Sequence, residues 1–256
     1  MTALAFDHIV HFVDRDPSSA IPEWKKHGLL AVKGGSHLQW GSWNSLLYFG
    51  LSYVEYLAIE NDLIVGGSDN PLIKQMNEDL QNGEGFGNIC FRTSDIQSLR
   101  ERLTNSGFTP SEIVNAERRR EDGTILQWKM LFAKTPASMA PYPFFIQWDQ
   151  EDADRLKAYC ERGIIPEKQQ HLHISKVYYF VQSPEDHAAN WKEILQASEP
   201  SPIFDAIYNK EAISLKTRDV ELIFAEGPTN RPAAIHVTGL GNKKSIELLN
   251  GLYLFS

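Results

Sequence analysis

Two segments of the chain repeat the same order of apolar and polar positions about eighty residues apart. Residues 6–13 and 86–93 both alternate like strands, and both precede a stretch with the apolar spacing of a helix. Each helix leads to apolar strands, which end on residues 54–56 in the first copy and 146–148 in the second. A repeated unit of this kind cannot bury its own sheet face, so the two copies are expected to pair.

The first copy is predicted to be a β-α-β-β-β unit. Its helix is expected over residues 17–27, because Asp16 can cap it, Pro17 suits its first turn and Gly28 can end it. The glycine pair at residues 34–35 indicates a turn. The strands around that turn and after it are expected over residues 29–32, 37–40, 45–49 and 53–59.

The second copy repeats this order, and the rest of the chain contains weaker versions of it. In the second copy we expect a helix over residues 95–106 and strands over residues 113–119, 125–133 and 144–148, with a hairpin around residues 121–123. A divergent third copy is predicted over residues 172–225, and a truncated fourth has a strand over residues 233–238 and a helix over residues 243–250. The predicted organisation is a two-module domain (residues 1–150), a linker (151–170) and the divergent part (171–256).

Composition favours a globular protein with a sizeable core. The chain has 256 residues, of which 42% are hydrophobic, and its formal net charge is −8. This length supports one large domain or two modest ones, and the negative charge argues against nucleic acid as a partner. The basic run at residues 118–120 is flanked by Glu117, Glu121 and Asp122, so it is interpreted as a solvated hairpin end.

Cysteine content and hydropathy predict the environment of the protein. Cys90 and Cys160 cannot build a disulfide framework, and Cys90 is expected to be a small core residue. The first residues have no basic region followed by a long apolar run, so no signal peptide is predicted. No stretch is long enough to span a bilayer. A cytoplasmic protein with no membrane partner is therefore expected.

Three segments resemble the glyoxalase-like branch of the vicinal oxygen chelate superfamily, which also contains bleomycin-resistance proteins and extradiol dioxygenases. They are residues 7–10 (DHIV), 53–57 (YVEYL) and 143–148 (PFFIQW). The resemblance implies an α+β fold in which paired βαβββ modules form curved mixed, mostly antiparallel sheets. It also implies a cup between the modules, where a divalent metal is chelated by neighbouring oxygens of a small-molecule substrate.

The resemblance implies metal ligands on the first and last strands of each module. Those positions hold His8 and Glu55 in the first copy and Asn88 and Gln147 in the second, where two amides replace the usual histidine or carboxylate. An imidazole and a carboxylate suit Mn, Fe, Ni, Zn or Co, whereas amide oxygens favour harder ions such as Mn or Mg. Glu55 could instead act as a free base beside a carbonyl, or all four side chains could form a buried hydrogen-bonded group without a metal.

Alternation along the first strand decides which side chains share the cup. His8, Val10 and Phe12 are expected on one face, and Asp7 and His11 on the other with Ile9 and Val13. Four aromatic residues are expected to border the cup and contact the substrate: Trp40, Trp43, Tyr53 and Trp148.

Two functions fit these features. The first is a metal-assisted enzyme of lyase, isomerase or dioxygenase type that acts on a small oxygen-rich molecule. The second is a non-catalytic protein that sequesters an aromatic compound, similar to the antibiotic-binding members of the superfamily, with an aromatic cup and no metal. A homodimer could form through exposed sheet edges. A second His–Glu site is conceivable at His236 and Glu221.

Overall fold

The computed structural model describes residues 4–119 and 123–256, which form two curved sheets flanked by helices. The first sheet closes into an eight-stranded barrel with the strand order β1-β4-β3-β2-β6-β7-β8-β5. Its strands are β1 (Ala5–Phe12), β2 (Ala31–His37), β3 (Ser42–Phe49), β4 (Ser52–Ile59), β5 (Gly85–Arg92), β6 (Val114–Arg119), β7 (Ile125–Leu131) and β8 (Phe144–Trp148). The helices of this part are α1 (Ala20–Lys26), α2 (Asp62–Gly66), α3 (Pro71–Asp79) and α4 (Ile96–Asn105).

The second sheet has seven strands and open edges. After α5 (Asp152–Glu161) and α6 (Glu167–Gln170), the chain forms β9 (His173–Val181), α7 (Pro184–Leu195), β10 (Ser201–Asp205), β11 (Lys210–Lys216), β12 (Glu221–Glu226), β13 (Arg231–Thr238), β14 (Lys244–Leu248) and β15 (Gly251–Phe255). The order across the sheet is β10-β11-β12-β9-β13-β15-β14. None of the helices in residues 4–119 and 123–256 is long and apolar enough to cross a membrane.

Strand pairing confirms the predicted α+β class and the pairing of two βαβββ copies. In each copy the first and last strands are parallel neighbours, β1 with β4 and β5 with β8. The two copies join where β1 runs antiparallel to β5. The sequence signals for the helices also hold, because the Asp16 side chain accepts a hydrogen bond from the Ser18 amide and Gly28 adopts a φ of 76° after α1.

Three predicted elements are wrong. The strand expected over residues 37–40 is instead a turn, because β2 ends at His37 and residues 38–41 connect it to β3. Gly34 and Gly35 do not form a turn, because they lie within β2, where the pairing with β3 shifts register between Lys33 and Gly35. The helix expected over residues 243–250 is the hairpin of β14 and β15. Leu249 and Asn250 turn that chain with φ values of 52° and 61°, which a helix does not allow. The residues expected at the tip of the hairpin between β6 and β7 include 121 and 122, which lie outside the described residues.

A buried chain of hydrogen bonds joins the barrel to the second sheet. The indole of Trp24 donates to the Tyr56 hydroxyl at 2.7 Å, which is 2.8 Å from the Tyr253 hydroxyl. That hydroxyl lies 2.7 Å from Nδ1 of His11, and Nε2 of His11 lies 2.7 Å from the carbonyl oxygen of Leu249. A carbonyl only accepts, so Nε2 carries the proton and Nδ1 accepts from Tyr253. The donor in every hydrogen bond of this chain is therefore fixed, since Tyr56 must donate to Tyr253.

Candidate functional site

A cavity lies inside the barrel and is enclosed by strands from both copies. The empty space in the cavity and at its mouth is about 450 Å³, a figure that includes open solvent. Aromatic and aliphatic side chains form most of its wall, and a few polar groups converge in it. The polar and charged residues that line it are His8, His37, Ser42, Asn44, Tyr53, Glu55 and Arg118.

Asp7 and His8 lie side by side because β1 has a bulge. The pairing of β1 with β5 shifts between Phe6 and His8, so the strict alternation expected for this strand fails at Asp7. The prediction that Asp7 faces away from His8 is therefore wrong. Oδ1 of Asp7 lies 2.8 Å from Nδ1 of His8, and both side chains are buried. This contact holds the imidazole in one orientation with its other nitrogen, Nε2, available.

The carboxylate of Asp7 is held ionised by basic neighbours. Its Oδ2 accepts hydrogen bonds from the Trp148 indole at 3.0 Å and from Arg155 at 3.4 Å, and Arg92 lies 3.8 Å away. Burial by itself raises the pKa of Asp7, but Arg155, His8 and Arg92 together lower it well below its usual value. An ionised Asp7 can only accept, so Nδ1 of His8 carries a proton.

Arg155 belongs to the segment between the two sheets and is itself almost fully buried. It extends from α5, with 2% of its surface exposed, and its guanidinium lies 4.7 Å from the centre of the Trp148 ring. Arg155 also contacts Asp152 at 3.1 Å. The predicted linker therefore supplies the cation that neutralises Asp7.

Glu55 faces His8 across the cavity. Its Oε2 lies 3.5 Å from Nε2 of His8, which is buried and has no hydrogen-bond partner among the described residues. The other oxygen, Oε1, accepts a hydrogen bond from the amide of Asn44 at 2.5 Å, and the amide oxygen of Asn44 accepts from Arg118 at 3.4 Å. The structure thus brings together the two residues expected in the first copy, and it adds Asn44 and Arg118.

Ring contacts restrict the movement of His8. Tyr53 stacks on the imidazole with 4.5 Å between ring centres, and Phe144 approaches edge-on at 5.4 Å. Burial, with the Asp7 and Glu55 charges adding to it, raises the pKa of the Tyr53 hydroxyl well above its usual value, so this phenol stays neutral. The second histidine of the cavity, His37, is neutral too. Burial lowers its pKa to about 4, with Glu55 opposing the shift and Arg118 adding to it.

The two residues expected in the second copy do not reach this site. The carboxamide of Asn88 donates to Gln75 and to the carbonyl of Tyr142, and Asn88 lines a separate surface cleft. The side chain of Gln147 accepts from the backbone of Ile96 at the start of α4, on the other face of β8. A four-ligand set of His8, Glu55, Asn88 and Gln147 is therefore not assembled.

Strand register shows why these positions were misassigned. His8 pairs with Tyr53 in the first copy, and Cys90 pairs with Phe144 in the second. Cys90 also pairs with His8 across β1 and β5, and on β8 the side chain of Ile146 lines the cavity while that of Gln147 faces the opposite side. The second copy thus places a thiol and a sec-butyl group near the cavity in place of two ligands.

One group of potential ligand atoms lies close together, with one atom each from Asp7, His8 and Cys90 all within 4.8 Å of one another. The surroundings of this group oppose a cation. Asp7 already binds Arg155, and burial, with the nearby Asp7 and Glu55 charges adding to it, raises the pKa of the Cys90 thiol well above its usual value. A protonated thiol is a poor ligand, because metals bind the thiolate.

Three of the four aromatic residues expected at the cup line the cavity. They are Trp40, Tyr53 and Trp148, and Trp128 joins them. Trp43 packs against the larger core outside the cavity, because neighbouring residues of a strand face opposite sides and Asn44 points inward. The expectation that Trp43 contacts a ligand in this cavity is therefore wrong.

Sequence reasoning missed Asp7, Asn44, Arg118 and Arg155 as site residues. The interpretation of residues 118–120 as solvated is wrong for Arg118, which is 6% exposed, and holds for Arg119, which is exposed; residue 120 lies outside the described residues. The strand pattern could have indicated that Arg118 faces inward. It lies two residues after buried Ala116, and residues two apart in a strand face the same side. No local signal marks Arg155, whose role depends on how the segment after the barrel folds back.

The second His–Glu pair considered in the sequence is engaged elsewhere. Glu221 binds Lys176 at 2.7 Å and accepts from Ser214 at 2.6 Å. His236 lies 3.0 Å from the hydroxyl of Ser256. Neither side chain therefore contributes to the cavity of the barrel.

Comparison with known proteins supports the architecture. The family model described as a glyoxalase-like domain matches residues 6–195. No curated protein matches the chain. Among solved structures, a hypothetical protein from Staphylococcus aureus aligns over 99% of both chains with a TM-score of 0.84 and 20% identity.

Two further solved structures that align with the chain are enzymes. A mutant of 4-hydroxymandelate synthase from Streptomyces coelicolor has a TM-score of 0.58 at 9% identity, over 93% of this chain and 72% of that one. Methylmalonyl-CoA epimerase from Mycobacterium tuberculosis aligns over 58% of this chain and 91% of that one, at 18% identity and a TM-score of 0.43. With its paired βαβββ copies and the match over residues 6–195, the chain belongs to the glyoxalase-like domain family.

Proposed function

We propose that the barrel cavity is the active site of an enzyme that moves a proton on a small oxygen-rich molecule, in a reaction of lyase or isomerase type. One observation carries this proposal. Nε2 of His8 is buried and has no hydrogen-bond partner among the described residues, while the rest of the ring is fixed by Asp7, Tyr53 and Phe144. A buried polar atom left unpaired in the folded protein is costly, and a ligand can remove that cost.

The proton transfer uses the residues around His8. When Nε2 holds no proton, it can accept one from a carbon beside a carbonyl, and the electron pair of the broken C–H bond moves to the carbonyl oxygen. Asp7 stabilises the resulting imidazolium through Nδ1, as a carboxylate does in other catalytic histidine pairs. Glu55 lies 3.5 Å from Nε2 and can receive the proton or return it to a second position on the ligand. Return of the proton to a different atom completes an isomerisation, and loss of a leaving group completes a lyase reaction.

A divalent metal, the cofactor implied by the family, fits this cavity poorly. His8 and Glu55 can each offer one ligand atom, but the second copy places Cys90 beside His8 and lines the cavity with Ile146. Structural and catalytic metal sites generally use three or more protein ligands, and a dioxygenase would need a facial triad. We therefore favour acid–base chemistry by His8 and Glu55, in which the carboxylate acts as a base and not as a metal ligand.

Non-catalytic binding remains the second candidate, and the aromatic wall favours it. Trp40, Trp128 and Trp148 present large flat surfaces to the cavity, and these would hold a planar compound without any reaction. The two candidates differ in their dependence on His8. Binding through the wall would survive its substitution, whereas proton transfer would not.

Solvent deuterium exchange distinguishes them without knowledge of the natural substrate. The protein is incubated in D₂O with a panel of small carbonyl compounds, and deuterium incorporation beside the carbonyl is followed by NMR. We expect incorporation with at least one compound, a loss of about 100-fold or more in His8→Gln, since general base catalysis contributes roughly 10²–10⁴-fold, and a loss in Glu55→Gln. Trp43→Phe, outside the cavity, is the matched control. Exchange equal in wild type and His8→Gln would refute the proposal.

A further inference from the structure

Arg118 is a buried cation whose charge is not paired by any of the described residues. It lies on β6, lines the cavity and is 6% exposed. In residues 4–119 and 123–256 it forms no ion pair, and its Nη1 donates a hydrogen bond of 3.4 Å to the amide oxygen of Asn44. Its Nε is buried without a partner among those residues. A guanidinium has five N–H donors, and the contact with Asn44 uses one of them.

The nearest acid in the cavity does not neutralise Arg118 directly. Asn44 lies between the two groups, since its nitrogen donates to Glu55 and its oxygen accepts from Arg118. The free oxygen of Glu55 points towards His8. The other buried arginine near the cavity, Arg155, shows the contrast, because it is paired with Asp7 and Asp152. Burial of a charge without a partner is strongly unfavourable, so we expect a bound anionic ligand to neutralise Arg118.

The glycine pair of β2 makes room for this side chain. A Cβ on Gly34 would lie 1.8 Å from Oδ1 of Asn44 and 3.1 Å from Nη1 of Arg118. A Cβ on Gly35 would lie 2.1 Å from the backbone oxygen of Arg119 and 3.3 Å from Cγ of Arg118. Because neither glycine has a side chain, β6 can lie close to β2, and Arg118 can extend past β2 into the cavity.

We propose that the ligand of this cavity is a small carboxylate with a flat apolar body, and that Arg118 binds its carboxylate. The planar guanidinium matches a carboxylate through parallel N–H···O bonds, which makes it a selective partner for that group. The apolar body packs among Trp40, Trp128 and Trp148. This inference rests on the proposed function in assuming that the cavity is the ligand site, and it deepens that function by naming the substrate class.

Matched acids and amides test the inference. Binding of benzoate against benzamide, and of indole-3-acetate against indole-3-acetamide, is measured by isothermal titration calorimetry with the full chain. Each pair has the same shape and differs in charge. Hydrogen bonds to a charged group predict that at least one acid binds about ten- to a hundredfold more tightly than its amide.

Two variants assign that preference to Arg118. Arg118→Gln should bind the acid and the amide equally, while Arg119→Gln, an exposed neighbour on the same strand, should keep the preference of the wild type. Failure of both acids to bind, amides that bind as tightly as acids, or a preference unchanged in Arg118→Gln would each overturn the inference. If Arg118→Gln does not fold, the affinities of the wild type for each acid and its amide still test whether the cavity prefers a carboxylate. The binding measurement does not depend on catalysis. If deuterium exchange depends on His8 but no acid binds more tightly than its amide, the inference about Arg118 is refuted and the proposed function is not.

Discussion

Protonation of His11 is expected to weaken the attachment of the second sheet to the barrel. Burial lowers the pKa of His11 to about 4, with the Leu249 hydrogen bond opposing the shift and Arg231 adding to it. A proton on Nδ1 would face the Tyr253 hydroxyl, which donates to that atom when the ring is neutral. Tyr253 would then have to turn its hydroxyl proton towards Tyr56, and the hydroxyl proton of Tyr56 would lose Tyr253 as its acceptor. Acid therefore disrupts the whole chain of hydrogen bonds.

The size of this effect follows from the shift in pKa. The folded value of about 4 lies below the ordinary value of 6.5, so the unfolded chain binds the proton first as pH falls. The contribution of His11 is fully present above pH 6.5 and is lost as the pH approaches 4. At pH 4 the loss is about 3 kcal/mol, at 1.36 kcal/mol for each pKa unit.

Urea unfolding of matched variants isolates this contribution from that of His37 and the carboxylates. The free energy of unfolding is measured at pH 7.5 and pH 4 for wild type, for His11→Gln and for His171→Gln, a control at an exposed histidine. The stability advantage of wild type over His11→Gln should shrink by about 3 kcal/mol between the two pH values. An advantage of the same size at both values, or an NMR titration of His11 near 6.5, would refute the reasoning.

Two further predictions concern the cavity. Asp7→Asn should lower the free energy of unfolding at pH 7 by about 3–5 kcal/mol, because it removes the buried charge partner of Arg155 and leaves only Asp152, which is half-exposed. Urea unfolding of this variant and of the exposed control Asp149→Asn measures the difference, and equal stability of the two variants would contradict the prediction. Gly34→Ala should lower the free energy of unfolding by about 1–3 kcal/mol, because its Cβ would lie 1.8 Å from Oδ1 of Asn44. Gly66→Ala is the control, because its Cβ meets no atom within 4 Å. Thermal unfolding measures the stability of both variants, and equal stability would contradict the close approach of Gly34 to Asn44.

Much of the fold could be predicted because the signals were local. The cap at Asp16, the stop at Gly28 and the repeated strand pattern each depend on a few neighbouring residues, and the structure contains the elements they indicate. The β14–β15 hairpin was missed because left-handed backbone at Leu249 is unusual for that residue type.

The candidate site was predicted only in part because it depends on strand register. His8 and Glu55 were predicted from the first copy alone, so that prediction did not depend on how the two copies were aligned. In the second copy the sequence pattern selected Asn88 and Gln147, whose side chains contact Gln75 and Ile96, whereas Cys90 lies beside His8 and Ile146 lines the cavity. A bulge at Asp7 also cannot be read from alternation, because the bulge itself breaks the period of two.

Arg118 and Arg155 show a different limit. Both arginines were expected to be solvated or were not considered, since charged residues are rarely buried without a partner. For Arg155 the partner is Asp7, nearly 150 residues earlier in the chain. For Arg118 we infer a partner that is not part of the protein.

The protonation state of His8 tests the central claim most directly. Nitrogen-15 NMR of the imidazole at neutral pH reports which ring nitrogen carries a proton. We expect Nδ1 to be protonated and hydrogen-bonded in wild type, and this signature to change in Asp7→Asn. A proton found on Nε2 alone, with Nδ1 bare, would contradict an Asp7-held histidine that presents Nε2 to the cavity.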